Sequence, residues 1–289
     1  MAAKTETLSG RSQSDARDRA NRLAELPWWA FLIILVGVIL VYNFLTNKTY
    51  GEIIGTLVDG VKITAFAAVS AYFFALLLGL TTALMQLSSN VVTRNIAQLY
   101  VQIVRGIPII VQILYWGFVI GPLLGIADKV QSLVVWLNQM NFEIEMSRAE
   151  ATKIDFMVRG ILALAFSYGA FSSEVFRAGL QSVEKGQREA GVALGLSWLQ
   201  SLRFIILPQA FRRILPPLGN DFISMVKETA LLSALGVGEI TQLGKKYSAA
   251  SFLYFQTYNT VAFLYLSLTL LLSSGVRYME KRLKSDQRK

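Results

Sequence analysis

The chain has 289 residues, of which 54% are hydrophobic and only 16% are charged, and its formal net charge is +9. A soluble domain of this length is rarely so apolar, and several apolar runs approach the length that spans a bilayer. The sequence has no Cys, which excludes disulfides, and no His, which argues against a zinc site or a His-dependent triad. The composition predicts an all-α polytopic membrane protein whose positive charges face lipid headgroups rather than nucleic acid.

Apolar stretches predict about six transmembrane helices, preceded by a polar tail of mixed charge at residues 1–26. The Trp pair at positions 28 and 29 suits a membrane interface at the start of the first helix. The predicted helices occupy residues 28–45, 61–85, 99–124, 156–180, 214–238 and 257–276.

Three connections are predicted to lie on the outer side, at residues 46–60, 125–156 and 239–256. The middle one is the longest, and it holds an amphipathic piece at 130–140. Either a seat for an external binding protein or a plain surface helix accounts for this segment. An acidic patch follows the amphipathic piece and comprises Glu143, Glu145, Glu150 and Asp155.

The third predicted helix carries three features that bear on helix packing. Gly117, Gly121 and Gly125 recur at four-residue spacing, which favours a packing face between helices. Arg105 is interpreted as an interfacial anchor and Pro108 as a kink.

A short polar island separates two apolar runs between Gly186 and Pro208. It predicts a short helix, a break near Gly195 and a second helix that ends at Pro208, because proline lacks an N–H. Such a knob suits the docking of a soluble partner, and an ordinary interfacial loop helix is the alternative.

The phrase from Gly186 to Ala210 resembles the EAA loop of ABC importer permeases, in which Glu-Ala-Ala and a Gly precede Ile-x-Leu-Pro. Gly191 replaces the second Ala of that pattern. The matching residues are Glu189, Ala190, Gly195, Ile205, Leu207 and Pro208. The flanking Gly-Gln and Gln-Ala pairs resemble the polar amino-acid branch, which includes histidine, glutamine and arginine permeases.

This resemblance implies a type I importer permease core at residues 61–276, with an added transmembrane helix at 27–46 and a basic tail at 277–289. It implies that the loop at 181–213 docks a separate ATP-binding subunit, which holds ATP and Mg, so that this chain has no catalytic site and no cofactor. An external solute-binding protein and a second permease subunit, identical or related, are the other implied partners. The docking contacts would be Gly186, Glu189, Ala190, Gly195, Leu207 and Pro208.

The fifth predicted helix carries charges within an apolar stretch. A charged side chain at the centre of a spanning helix costs about 2.5–3.5 kcal/mol, so Asp221, Lys227 and Glu228 need a reason. Asp221 and Glu228 are seven residues apart and share a helix face with Ser224, over roughly 10 Å. The two carboxylates suit an ammonium or guanidinium group. The alternative is an internal ion pair in which Lys227 neutralises Glu228 or a neighbour and holds helices together without a ligand.

The stretch from Lys227 to Leu231 resembles the Lys-Asp-Thr-Ser-Leu phrase of the same family, with Glu228 and Ala230 as the two changes. Family members bind the amino acid in this region, so the resemblance implies a substrate site. The implied contacts are Asn220, Asp221, Ser224, Glu228 and Thr229. Asp221 stands where relatives commonly have an uncharged amide, which favours a cationic substrate such as arginine or lysine.

Topology follows from charge. Six spans place both termini on one side together with the basic docking loop, and the positive-inside rule makes that side cytoplasmic in a bacterial inner membrane.

Residues 238–246 fail as a phosphate-binding loop, because five residues separate the glycines and Lys246 replaces the required Ser or Thr. Two other classes remain open, an ion-coupled secondary amino-acid transporter and a non-transporting scaffold.

Overall fold

The computed structural model describes residues 28–139 and 148–285, and all regular elements within these ranges are helical. The chain divides into two compact units, Met1–Gly51 and Glu52–Lys289. The predicted tail at 1–26 lies outside the described residues. These findings agree with an all-α helix bundle.

The first described helix, α1, spans Trp28–Thr46 and confirms the predicted helix at 28–45. The next helix, α2, runs over 39 residues at Lys48–Gln86, so the expected connection at 46–60 is wrong. Asn47 initiates α2, because its side-chain oxygen accepts a hydrogen bond from the Thr49 amide at 3.0 Å. One turn apart on the same helix, Ile53 and Leu57 are fully buried, and this packing favours continued helix over a loop.

Within the described ranges, three helices are long and apolar enough to cross a membrane: Lys48–Gln86, Thr152–Gln181 and Tyr254–Leu283. They contain the predicted spans at 61–85, 156–180 and 257–276. The second of the three belongs to a longer helix, α7, which spans Arg148–Gln181. The first predicted span is a helix, of which Phe31–Thr46 is apolar but shorter than the three above, and the predicted spans at 99–124 and 214–238 take other forms.

The predicted span at 99–124 is a broken helix. Helix α3 (Val91–Gly106) and the following apolar helix meet at a bend of 105°. Pro108 lies at the break, as the kink interpretation requires. The Gln112 carboxamide donates to the carbonyls of Val104 at 2.7 Å and Ile107 at 2.8 Å, which satisfies acceptors that the bend leaves free.

Beyond the bend, α4 (Ile109–Tyr115) widens into a π-helical turn at Trp116–Ile120 and continues as α5 (Gly121–Leu123) and α6 (Ile126–Gln139). Gly125 has φ 58°, in the left-handed region, and it separates α5 from α6. Helix α6 confirms that the amphipathic piece is helical up to Gln139.

A buried ion pair holds the π-helical turn. Arg159 on α7 contacts the Asp155 carboxylate at 2.5 and 2.8 Å and donates to the Gly117 carbonyl at 2.7 Å. Asp155 is therefore an internal partner rather than part of an external acidic patch, and Glu143 and Glu145 lie outside the described residues. A Cβ at Gly117 would meet Leu235 and one at Gly121 would meet Arg159, so these two glycines do serve packing.

The docking loop folds as α8 (Lys185–Ala193), α9 (Trp198–Ser201) and a π-helical turn at Leu202–Ile206. The predicted break is confirmed at Gly195, whose φ of 76° is left-handed. The second helix does not end at Pro208, however. Pro208 lies in the first turn of α10 (Leu207–Glu228), where its missing N–H costs little.

The predicted span at 214–238 consists of the second half of α10 and a 3₁₀ helix at Thr229–Leu235, which Gly236 terminates at φ 77°. The expected turn at 239–256 is mostly helical, as α11 (Ile240–Ser251), and α12 (Tyr254–Ser285) follows. Glu239 begins α11 by accepting the amides of Thr241 and Gln242, each at 2.8 Å. A buried acid that satisfies a helix start accounts for this departure from the loop prediction.

The main core forms where α2, α7 and the end of α10 meet. Small side chains on α2, among them Ala67, Ala71 and Ala75, are fully buried against α7. A Cβ on Gly169 of α7 would lie 2.8 Å from a Leu78 methyl group of α2, so glycine permits close approach here. This packing places α7 beside the charged stretch of α10.

Candidate functional site

The charged face of α10, defined as Asp221, Ser224 and Glu228, lies next to the core. All three side chains are partly buried. Glu228 is the last residue of α10, after which the backbone tightens into the 3₁₀ helix. Helical spacing thus aligns the three as the sequence indicates, and tertiary packing removes much of their surface from solvent.

Two tyrosines from other helices complete the surroundings of this face. The hydroxyl of Tyr168 on α7 faces Glu228 and also interacts electrostatically with Asp221. Tyr72 on α2 is also electrostatically coupled to Asp221, and its hydroxyl donates to the Leu218 carbonyl at 2.5 Å. The sequence pattern assigns neither tyrosine to the site, because each lies on a helix far from the charged face along the chain.

The carboxylates of the charged face are incompletely satisfied. Asp221 Oδ2 and Glu228 Oε2 are buried and have no hydrogen-bond partner among the described residues. Buried acceptors of this kind are costly unless something binds them. Lys227 does not fill this role, because its side chain is exposed and forms no ion pair of 4 Å or less with a described carboxylate. The ion-pair alternative is therefore not seen as a direct contact, although the charge of Lys227 acts electrostatically on Glu228.

The two other residues assigned to the substrate site lie elsewhere. Asn220 is exposed, one position away from the shared face. Thr229 is fully buried, and its hydroxyl donates to the Val226 carbonyl at 2.7 Å. The structure therefore brings together Asp221, Ser224 and Glu228, while Asn220 and Thr229 lie outside that group.

At the end of α10 the Thr229 amide donates to the carbonyls of Met225 and Lys227, and the backbone continues as the 3₁₀ helix. The polar character of the charged face therefore comes from its side chains. Two carboxylates with neighbouring tyrosine hydroxyls form an environment that favours a cationic group such as an ammonium or a guanidinium.

The second candidate region is the docking segment, defined as residues 186–208. Its six predicted contact residues, Gly186, Glu189, Ala190, Gly195, Leu207 and Pro208, are all exposed. Large apolar side chains are exposed beside them, including Leu194 at 80% and Phe204 at 64%. An exposed apolar surface rimmed by charges is typical of a protein contact site.

The docking segment is anchored to the membrane helices beneath it. Val183, Ile206, Ala210 and Ile214 form one buried cluster with Leu218 of α10. The Arg213 guanidinium donates a hydrogen bond to the Ser182 carbonyl, which joins α10 to the end of α7. Movement of the docking segment would therefore carry α7 and α10 with it.

Gly191, the departure from the EAA pattern, has a packing explanation. A Cβ at this buried position would lie 2.9 Å from both Ser201 Oγ and Ile205 Cδ1. The two arms of the docking segment, α8 on one side of Gly195 and residues 198–206 on the other, approach each other closely. An alanine at position 191 would fit only if neighbouring atoms moved. The substitution thus reflects tight packing of α8 on the π-helical turn.

Comparison with known families decides the broader identity. Residues 75–285 match the family described as "Binding-protein-dependent transport system inner membrane component". The chain belongs to this family. Its members are integral inner-membrane transport subunits of ABC importers, which work in general with an ATPase and a substrate-binding protein.

Relatives narrow the branch to amino-acid ABC permeases. The chain is 32% identical over 228 residues to "Glutamine transport system permease protein GlnP" of Escherichia coli, covering 79% of this chain and 93% of the relative. It is 31% identical over 264 residues to "Arginine transport system permease protein ArgU" of Corynebacterium glutamicum, covering 88% of this chain and 79% of the relative. The predicted polar amino-acid ABC permease is therefore confirmed.

Solved structures agree on the fold. A chain from "Crystal structure of an amino acid ABC transporter with histidines" aligns with a TM-score of 0.63 at 30% identity, over 83% of this chain and 98% of that one. A chain of the inward-facing MetNI methionine ABC transporter aligns with a TM-score of 0.61 at 20% identity, over 79% of this chain and 96% of that one. At this identity the likeness shows the fold alone. The type I importer fold expected from the docking motif is confirmed.

Proposed function

We propose that this permease carries polar amino acids with a cationic group across the membrane, driven by a separate ATP-binding subunit at the docking segment. The observation that supports the substrate class most directly is the pair of buried, unpartnered carboxylate oxygens on Asp221 and Glu228. An arginine or lysine side chain would supply the missing donors and compensate both charges. The name of the arginine permease relative is consistent with this class.

The coupling mechanism follows from the anchoring of the docking segment. ATP binding in the partner would draw two docking segments together. The cluster around Ile206 and Ile214 would then move α7 and α10 as rigid bodies. Because Glu228 lies on α10 and Tyr168 on α7, this movement would change access to the charged face. ATP drives transport in this scheme only by binding one of the two states more tightly.

Orientation is part of the proposal. Exposed basic residues cluster near the docking segment, among them Arg203, Arg212 and Arg213, and basic residues recur at the end of α12. By the positive-inside rule this end is cytoplasmic, as are both termini. A second permease subunit, identical or related, would complete the translocation path, and an external binding protein would deliver the amino acid.

Reconstituted uptake tests the proposal. Proteoliposomes would contain the permease with its co-purified ATPase, and the external binding protein would be supplied with radiolabelled arginine, glutamine or glutamate. We expect ATP-dependent uptake of arginine above that of the other two. Uptake of glutamine or glutamate in its place would reject the cationic substrate and retain the importer.

The same assay separates the alternative classes. An ion-coupled transporter takes up substrate from a proton or sodium gradient without any ATPase. Gradient-driven uptake by the permease alone would therefore overturn the ATP-coupled mechanism. The family match favours the importer over this alternative and over a non-transporting scaffold.

A further inference from the structure

A second polar region lies at the docking-segment end of α7, in a cavity of about 1210 Å³ between α3, α7 and the end of α2. Three guanidinium groups contribute to its walls, from Arg94, Arg105 and Arg177, together with the carboxylate of Glu174. Neither the docking contacts nor the charged face includes these residues. The cavity therefore needs an explanation of its own.

The positive charges in this cavity exceed their internal partners. Glu174 is bound by Arg177, with Oε2 and Nη2 2.6 Å apart. Arg177 Nε is buried and has no partner among the described residues. The Arg94 and Arg105 side chains make no hydrogen bond or ion pair with a described residue, and the Arg105 guanidinium lies 5.7 Å from the centre of the Phe171 ring. Unused guanidinium donors in a recess suit an oxyanion.

The walls of the cavity are amphipathic along α3. Asn95, Gln98 and Gln102 line the cavity on the polar side of that helix. Leu99 also lines the cavity and is 61% exposed, and Ile96 and Ile103 beside it are 56% and 52% exposed. Polar groups inside and a bare apolar rim outside fit a headgroup with its acyl chains lying along the helix.

We propose that this cavity binds the headgroup phosphate of an anionic phospholipid from the leaflet at the docking-segment end. Arg94 and Arg105 would contact the phosphate oxygens, and the apolar side of α3 would contact the acyl chains. Basic recesses between membrane helices are known sites for such headgroups. A free phosphate ion offers the same oxyanion chemistry without the chains, so the test must separate the two sources.

Native mass spectrometry of the intact permease–ATPase complex provides the test. The complex would be titrated with phosphatidylglycerol or with phosphatidylcholine of identical acyl chains. We expect the wild-type complex to retain phosphatidylglycerol preferentially. Loss of each arginine, in Arg94→Gln and Arg105→Gln, should weaken that retention by about fivefold. Retention of phosphatidylcholine should not change.

Two further variants extend the assay: one is expected to increase phosphatidylglycerol retention, and the other is a control. Glu174→Gln removes the competing carboxylate and should increase phosphatidylglycerol retention. A double change outside both the cavity and the docking segment, Lys281→Gln with Arg282→Gln, removes two exposed charges and should leave retention unchanged. Equal retention of the two lipids by the wild type, or equal loss in the control, would overturn the proposal.

The free-ion source is tested in the same complex. Inorganic phosphate would be added without lipid, and the thermal melting temperature would be measured against chloride at equal ionic strength. A rise with phosphatidylglycerol and none with phosphate supports the lipid. An Arg94-dependent rise with phosphate that equals the lipid effect would replace the lipid with a free anion.

Discussion

The docking segment and the charged face of α10 represent two kinds of functional surface in one chain. The docking segment is contiguous in the chain, and its predicted contact residues are exposed beside apolar side chains such as Leu194 and Phe204. The charged face is partly buried, and its surroundings come from α2, α7 and α10. A contiguous surface is visible as a motif, whereas an assembled one needs the tertiary fold. Variants that separate the two surfaces test this comparison.

The largest effect is expected at Gly195. Its φ of 76° is unfavourable for other residues, and a Cβ at this position would meet no atom within 4 Å, so a Trp side chain would add bulk to the exposed surface proposed for docking. Gly195→Trp should abolish ATP-dependent uptake and co-purification of the ATPase while membrane insertion persists. Gly195→Ala shares the backbone strain without the bulk and should retain most docking.

The charge of the docking helix offers a matched pair. Glu189→Lys should likewise uncouple transport, whereas Glu184→Lys makes the same charge change at an exposed position outside the EAA pattern. Normal ATP-driven uptake by the Gly195→Trp or Glu189→Lys variant would remove the docking assignment.

The next effect concerns the carboxylates. Asp221→Asn and Glu228→Gln should each lower arginine uptake by about 30-fold or more, as expected when a partner of a buried charge is removed. Basal ATPase activity should persist, because neither residue touches the docking segment. Lys227→Gln, at the exposed neighbouring position, should leave uptake nearly unchanged. Uptake indifferent to both carboxylate variants would place the substrate elsewhere.

A smaller effect separates the two tyrosines. Tyr168→Phe removes the hydroxyl that faces Glu228 and should raise the KM for arginine by about tenfold, without lowering Tm. Tyr72→Phe removes a donor to the Leu218 carbonyl and should lower Tm. A fall in Tm for Tyr168→Phe with unchanged KM would assign Tyr168 to stability alone.

The smallest effect tests the packing of the docking segment. Gly191→Ala introduces a Cβ 2.9 Å from two atoms of the second arm and should destabilise the segment by about 1 kcal/mol or more. Hydrogen exchange of α8 would report this as faster opening. Gly186→Ala, where a Cβ meets nothing within 4 Å, is the control, and equal exchange in both variants would contradict the packing explanation.

Some of the architecture was predictable because it depends on local pattern. Apolar length predicts the helices that contain residues 61–85, 156–180 and 257–276, since a bilayer sets the span. The break at Gly195 follows from glycine in a short amphipathic stretch. The expected connection at 46–60 was wrong, because polar residues there lie on one side of a helix whose other side buries Ile53 and Leu57.

The membrane class, the EAA-like phrase and the alignment of Asp221 with Glu228 follow from the sequence, because each depends on residues close together in the chain. The internal role of Asp155, the exposure of Lys227 and the approach of Tyr72 and Tyr168 come from tertiary packing. These depend on which helices meet and at what depth. Packing between distant segments sets both, and helical periodicity carries no information about them.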